Sequence, residues 1–256
     1  MNSFDYYHGS VKSIQIKKAG LWRDVVDFST PRFQNIFGFI DFPIMCSSLA
    51  EPFITAQQYL DFAKLKPGDV VLDLGSYSSL TSIAFSKAVE AGGKVVAVEP
   101  DPVNFPCCEI NIAQHARSNH LANIYLINAA VSNSNSTLKF SSEGAMGSSA
   151  AELVGTYRGD IIEVPCLTLD EIAKKSNVNK VNFVKMDIEG SEQVVIESVK
   201  TFFERYRPRI IIEPHVVNGI FSDRAIISSL TKYGYECSII EQIGVNLPLV
   251  IGVPKI

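Results

Sequence analysis

Acidic side chains close several apolar runs in this sequence, and their neighbours restrict what they can bind. Val70, Val71 and Leu72 lead into Asp73, Leu74 and Gly75, and the loop continues Ser76-Tyr77-Ser78-Ser79-Leu80-Thr81. A pyrophosphate loop needs glycines in a G-x-G-x-x-G pattern, because the backbone must approach the phosphates closely. Here only Gly75 is present, Tyr77 and the serines take up room, and Asp73 repels an anion. A ligand with an ammonium group and no phosphate suits this loop better. S-adenosylmethionine is such a ligand. Asp73 would hold its amino group directly or through water, Gly75 would allow close backbone approach, and the helix after the loop would favour its carboxylate. Glu99 ends the next apolar run, where an acid can accept both ribose hydroxyls.

A second constellation lies further along. Asp187, Glu189 and Glu192 put three acids within six positions, and His215 follows Ile210-Ile211-Ile212-Glu213-Pro214. Such acids can position a hydroxyl, accept its proton or bind a metal through carboxylate oxygens. An imidazole with its ordinary pKa of about 6.5 is a general-base candidate. Asp187, Glu189 and His215 are therefore the catalytic candidates. Glu192 falls in a first helical turn, where a carboxylate complements the helix dipole. His115 and His120 read as solvated at the polar end of a helix, and His8 carries no signal. The histidines lack H-x-x-x-H and H-E-x-x-H spacing, so no metal site is assigned.

These residues need elements to hold them. Residues 52–66 read as a helix broken by Pro67-Gly68-Asp69. Residues 70–75 form a nearly continuous apolar run, the mark of a strand buried on both faces. A helix over 79–93 stops at Gly92-Gly93, and 94–100 is a second buried strand. The next helix opens at Asp101-Pro102, with proline in the first turn. A third strand is expected over 124–132. The Ser/Gly-rich stretch 132–160 is expected to be mobile until something binds, and 161–168 to be an edge strand, because Pro165 cannot donate to a central ladder. Strands follow over 181–187 and 208–215, separated by one helix over 191–206 with Val194, Val195, Val199 and Phe202 on a stripe. A helix over 222–234 precedes two closing strands, 235–240 and 247–254, joined through Gly244 and Asn246. This order predicts an α/β fold with a mostly parallel sheet and helices on both faces.

Residues 1–50 differ in texture, being aromatic (Phe4, Tyr6, Tyr7, Trp22, Phe28, Phe33, Phe37, Phe39, Phe42) and without clear period. They are read as an N-terminal extension serving as a cap, sheet edge or dimer contact, ahead of a domain at 51–256. This zone and 132–160 are the two candidates for an acceptor pocket.

Four segments carry a resemblance: Val71-Leu72-Asp73-Leu74-Gly75, Val98-Glu99-Pro100-Asp101-Pro102, Leu167-Thr168-Leu169-Asp170-Glu171, and Val184-Lys185-Met186-Asp187-Ile188-Glu189-Gly190-Ser191-Glu192. Over residues 51–215 the sequence resembles the FkbM family of S-adenosylmethionine-dependent methyltransferases, most specifically in the K-x-D-x-E-G-x-E run at 185–192. The resemblance implies a class I methyltransferase (Rossmann-like) fold with a seven-stranded sheet. It places the ligand crevice between the first and fourth strands, and implies O-methylation of hydroxyls on sugars or natural products. Within that expectation the cofactor set is Asp73, Gly75, Ser76, Tyr77, Ser79, Glu99, Pro100, Asn128, Ala129 and Asp187. The family pattern has glycine where Ser79 stands and asparagine where Tyr77 stands.

Composition narrows the classes. The chain has 256 residues, 46% of them apolar and 20% charged, ample for a packed core. A net charge of −4 gives no general attraction for phosphate backbones, so nucleic acid is not expected as the main partner. No apolar run approaches the ~18 residues of a membrane helix. The opening MNSFDYYHGS lacks the apolar core of a secretory signal. Five cysteines, an odd number without C-x-x-C, read as reduced thiols in a cytoplasmic protein. The expected partner is a small-molecule hydroxyl acceptor, with a homodimer left open. Two other readings also stay open: an NAD(P)-dependent oxidoreductase, disfavoured by the glycine-poor loop, and a methyltransferase-like scaffold that binds without catalysis.

Overall fold

The computed structural model describes residues 3–8, 11–18, 21–26, 31–36, 40–48, 50, 53–144, 147–150, 159–243 and 248–255, the first three segments and Phe53 by their backbone alone. Three antiparallel strands come first: β1 (Ser3–His8), β2 (Val11–Lys18) and β3 (Leu21–Val26). The antiparallel pair β4 (Arg32–Gln34) and β5 (Ile44–Cys46) follows. The alternating unit then runs α1 (Phe53–Ala63), β6 (Val70–Leu74), α2 (Leu80–Val89), β7 (Lys94–Val98), α3 (Asn104–Asn119) and β8 (Ile124–Ile127). Next come β9 (Ala130–Val131), β10 (Ser136–Ser142), β11 (Ser149–Ala150), β12 (Asp160–Leu167) and α4 (Leu169–Lys175). The last part is β13 (Phe183–Met186), α5 (Glu192–Ser198), α6 (Lys200–Tyr206), β14 (Arg209–Ile212), β15 (Val216–Val217), β16 (Ile220–Phe221), α7 (Asp223–Lys232), β17 (Tyr235–Glu241) and β18 (Pro248–Pro254).

The main sheet has seven strands in the order β17-β18-β14-β13-β6-β7-β8, with β18 antiparallel to both neighbours. The order reverses between β6 and β13, where an open α/β sheet leaves its ligand crevice. Successive side chains of each buried strand point to opposite faces. Leu72, Leu74, Val184, Met186, Ile210 and Ile212 join the core that holds Ile172 of α4, Val195 and Ile196 of α5, Phe202 of α6 and Leu230 of α7. Val71, Val95, Phe183 and Ile211 join Tyr59 and Ala63 of α1 and Phe85 and Val89 of α2. Each such side chain contributes about 1.5–3 kcal/mol when fully buried. Ile44 and Cys46 of β5 pack with Leu80 and Ile83 of α2. Asn111 of α3 grips Met45 of β5 at both backbone groups, donating to its carbonyl at 2.8 Å and accepting from its N–H at 2.7 Å.

The structure revises several expectations. The run 124–132 serves two sheets: Ile124–Ile127 stays in the main one, while Ala130–Val131 enters a second sheet of order β11-β10-β12-β9. Much of the Ser/Gly-rich stretch is therefore strand, since β10 pairs with β12 from Ser136↔Cys166 to Ser142↔Asp160. Residues 145–146 and 151–158 of that stretch lie outside the described residues. So do Gly244 and Asn246, and the aromatic side chains expected at Phe4, Tyr6, Tyr7, Trp22, Phe28, Phe37 and Phe39. β12 is interior only at Cys166 and Leu167, which pair with β9, so Pro165 sits where one side of the strand has no partner strand. The helix expected over 191–206 breaks at Val199, whose backbone (φ −109°, ψ 28°) leaves the helical region. Val194 is only half-buried, and Ile196 takes its place in the core.

His115 is buried, not solvated. Its Nε2 lies 2.7 Å from Ser86 Oγ, and burial, with the charge of Lys87, pushes its pKa down to about 4. All five cysteines are free thiols. Among the described residues, no helix is long and apolar enough to cross a membrane.

Candidate active site

The carboxyl ends of β6, β7 and β13 open on a cavity of about 260 Å³. Gly75 and Tyr77 enter it from the loop after β6, Glu99 and Pro100 from the end of β7, and Asp187, Ile188 and Glu189 from the loop after β13. Ala129, Ala130 and Val131 form a side wall, continued by Phe140, Ser148 and Ala150 of the second sheet. Thr55 of α1, Glu213 beyond β14 and Gln242 beyond β17 complete it.

Gly75 has φ +76°, and a Cβ built there would lie 1.7 Å from the Asp187 carbonyl oxygen. The glycine is thus required by close packing of the β6 and β13 ends. Tyr77 (φ +49°) and Ser79 (φ +60°) also adopt the left-handed backbone. These are the positions where the family pattern carries asparagine and glycine, the residues that tolerate that conformation best. Ser79→Gly is expected to raise stability by about 0.5–1 kcal/mol, since the left-handed penalty of about 1–2 kcal/mol outweighs the backbone entropy of glycine. A thermal melt checks this, and a lowered midpoint contradicts it.

Glu99 is held by its surroundings before any ligand arrives. Its Oε2 accepts from the Tyr77 N–H at 2.8 Å, and its Oε1 from the Asp101 N–H at 3.0 Å and Asn104 Nδ2 at 3.4 Å. Burial pushes the carboxyl up to about 7, helped by the charge of Asp101 and opposed by these hydrogen bonds. Asn128 lies outside the wall and braces it, donating to the Glu99 carbonyl at 2.9 Å. Asp101 ties the second sheet to the main one. Its Oδ1 accepts from the Val103 N–H at 2.7 Å, and its Oδ2 from Ser148 Oγ at 2.6 Å, Ser142 Oγ at 2.9 Å and the Gly144 N–H at 3.2 Å.

Behind the loop runs a buried ionic chain. The parallel register sets Lys185 of β13 opposite Asp73 of β6, with both side chains on the α2 side of the sheet. Lys185 is 2% exposed, and its Nζ lies 2.6 Å from the Gly75 carbonyl, 3.7 Å from Asp73 Oδ1 and 3.4 Å from Asp187 Oδ2. Asp73 Oδ2 accepts from Thr81 Oγ1 at 2.7 Å and from Ser82 Oγ. Asp73 therefore reaches the cavity through Lys185 instead of lining it. Ser76 and Ser79 are buried and stand off the wall as well.

The acidic half is organised by Glu192, which is fully buried. Its Oε1 accepts from the Ile188 N–H at 2.9 Å, and its Oε2 from the Gly190 N–H at 3.0 Å, so it fixes the loop that presents Asp187 and Glu189. The same Oε1 lies 3.0 Å from His215 Nδ1. The helix-dipole role expected for Glu192 is thus the lesser part of its work. His215 stands just off the wall, with Nε2 3.4 Å from Glu189 Oε2 and 3.9 Å from Asp187 Oδ1. Burial opposes its charge, but the Glu192 hydrogen bond and the charges of Glu192, Glu189 and Asp187 raise its pKa to about 10. At neutral pH it is an imidazolium in this setting, a partner for carboxylates. Burial lifts Glu189 to about 8, with Asp187, Glu192 and Glu213 adding and His215 subtracting. Glu213 is lifted to about 7 by burial and by Asp187, and its Oε2 accepts from Gln242 Nε2 at 2.9 Å.

Of the residues singled out in the sequence, Gly75, Tyr77, Glu99, Pro100, Ala129, Asp187 and Glu189 meet at the cavity. Lys185, Glu213, Gln242 and Asp101 had not been assigned to the site. A lysine inside a buried strand was the available signal, because such a charge demands a partner.

The comparisons with known proteins bear on the family and the fold. The methyltransferase FkbM domain model matches residues 69–237, most of the chain. A protein-L-isoaspartate(D-aspartate) O-methyltransferase model matches residues 6–131. Methyltransferase FkbM from Methylobacillus flagellatus KT is 14% identical with a TM-score of 0.52, and the match covers 77% of this chain and 50% of that one. This chain therefore spans about half the length of that structure, and the likeness shows the fold. Precorrin-6y C5,15-methyltransferase from Geobacter metallireducens GS-15 is 16% identical (TM-score 0.49; 81% of this chain, 91% of that). Aeropyrum pernix fibrillarin, solved with natively bound S-adenosyl-L-methionine, is 14% identical (TM-score 0.48; 95% and 94%). No curated protein matches the sequence. With its family match across residues 69–237 and a seven-stranded sheet reversing at β6 and β13, the chain belongs to the FkbM methyltransferase family.

Proposed function

We propose that the protein transfers the methyl group of S-adenosyl-L-methionine to a hydroxyl of a small molecule, a sugar or natural product. The observation carrying this reading is that one cavity joins a nucleoside-compatible half (Gly75, Glu99, Pro100) to an acidic half (Asp187, Glu189, Glu213). Glu99 takes the ribose hydroxyls, and the apolar wall of Val98, Val131 and Phe140 suits a flat ring. Methyl transfer from a sulfonium is an in-line displacement: the O–C bond forms as the C–S bond breaks, and the hydroxyl proton leaves to a base. Alignment supplies most of the acceleration, with effective molarities that reach ~10⁵ M or more. Glu189 faces the cavity and is the proton acceptor in this scheme, and the His215 imidazolium at 3.4 Å stabilises its carboxylate. Lys185 and Asp73 hold the ends of β6 and β13 in register beneath the ligand.

Calorimetry with S-adenosylhomocysteine tests the cofactor half. The ionised Glu99 is the form that accepts two hydroxyls, and with its carboxyl at about 7 that form is lost as pH falls. Affinity is expected to drop about ten-fold between about pH 8 and about pH 6, and Glu99→Gln to flatten the profile. Absence of binding heat overturns the reading. Methyl consumption across a panel of hydroxylated acceptors tests the other half. Binding without consumption supports the scaffold reading instead.

A further inference from the structure

We propose that Asp187, Glu213 and His215 form a site for one divalent transition ion of the manganese or zinc class, on the acceptor side of the cavity. Its binding stands on geometry alone, while its use in methyl transfer rests on the function proposed above.

One ligand atom from each of the three residues lies within 4.8 Å of the others. Two ligands on opposite sides of an ion at about 2.0–2.4 Å stand about 4–4.8 Å apart, so the three atoms can share one centre. His215 is turned as a ligand is turned. Its Nδ1 meets the buried carboxylate of Glu192 at 3.0 Å, and its Nε2 faces the carboxylates of Asp187 and Glu189. A metal-ligating histidine almost always gives its other nitrogen to a carboxylate or carbonyl in this way, which fixes ring and tautomer.

Gln242 provides an independent indication. It is 3% exposed and borders the cavity, and its Nε2 steadies Glu213 Oε2 at 2.9 Å. Its Oε1 is buried with no hydrogen-bond partner among the described residues, an acceptor that a water on the ion would satisfy. Thr55 Oγ1, also on the wall, is in the same condition. Charge points the same way. Asp187, Glu189, Glu192 and Glu213 gather around His215 and Lys185, four acidic groups about two basic ones, and a divalent cation offsets that imbalance. One imidazole with two carboxylates suits manganese, iron or zinc, whereas magnesium and calcium favour oxygen throughout. With the ion bound, His215 would release its Nε2 proton to solvent, and the ion would replace the imidazolium as the positive charge beside Glu189 while polarising the acceptor hydroxyl whose proton passes to that carboxylate.

The test is loss of the free manganous EPR signal on titration into the ligand-free protein. One equivalent is expected to bind, with zinc competing for it. His215→Gln and Glu213→Gln are each expected to weaken binding at least about ten-fold, and Glu192→Gln about 10–100-fold, with circular dichroism confirming that each variant is folded. Absence of uptake of either ion at about 1 mM overturns the proposal, as does equal uptake by the wild type and both ligand variants. S-adenosylhomocysteine calorimetry on the same samples separates this failure from failure of the methyl-transfer reading, because the two ligands replaced, His215 and Glu213, are not among the residues that hold the cofactor in that reading.

Discussion

Gly75→Ala is expected to abolish S-adenosylhomocysteine binding and to lower stability by about 2–5 kcal/mol. The added methyl would fall 1.7 Å from the Asp187 carbonyl oxygen and 2.9 Å from its carbon. Both are backbone atoms, so no rotamer change relieves the contact. The β13 end is also fixed: the Asp187 N–H donates to the Leu74 carbonyl at 3.1 Å, and Lys185 Nζ donates to the Gly75 carbonyl at 2.6 Å. Overpacking costs about 1–3 kcal/mol and a left-handed alanine about 1–2 kcal/mol more. The strand ends can escape only by separating, which carries Asp187 away from the cavity it lines. Denaturant unfolding and calorimetry read the two losses, and wild-type values in both would show that the β6 and β13 ends do not touch as described.

That contact also marks where sequence reading stops. Gly75 was legible as a position needing a glycine, because it follows a buried strand and opens a helix. Its reason was not, since the atom it must avoid belongs to a strand more than a hundred residues away. The main sheet was legible for the opposite cause: runs such as Val70–Leu74 and Phe183–Met186 are short, apolar and bounded by turn residues, all local properties. The second sheet was hidden because Ser136–Ser142 becomes a strand only by pairing with Asp160–Leu167, and serine-rich composition gives no sign of a distant partner. Likewise nothing in the run 124–132 marks the change of sheet within it.

At the site, an acid ending a strand can be recognised, but the face it takes depends on register. Asp73 shares the side of Val71, toward α2, so it meets Thr81 and Ser82. Glu192 looked like an ordinary first-turn acid because the sequence does not reveal that the loop 188–190 folds back onto it. His215 looked like a base at its ordinary pKa, and the three carboxylates that raise it to about 10 come from another loop and helix.

Lys185→Met is the other substitution with a large expected effect. The lysine lies between Asp73 and Asp187 at 3.7 and 3.4 Å, with almost no access to water. Removing one partner of a buried ion pair costs about 3–5 kcal/mol, because the remaining charge keeps its desolvation penalty without its compensation. Methionine has a similar reach and no charge, so the loss reports electrostatics more than packing. Asp73 keeps the Thr81 and Ser82 hydroxyls but loses its cation, while Asp187 loses the contact that holds it against the loop. S-adenosylhomocysteine affinity should therefore fall together with stability. Converting Asp73 to asparagine in the same chain removes the stranded charge, and Asp73→Asn/Lys185→Met should recover at least about 1 kcal/mol over Lys185→Met alone. A cost below about 1 kcal/mol for the single change, the range of a surface pair, would show that the lysine is not the counterion on which the ends of β6 and β13 depend. Recovery of stability without recovery of cofactor affinity would separate the two roles: Asp73 and Lys185 compensate each other in the fold, while Lys185 alone keeps Asp187 facing the ligand.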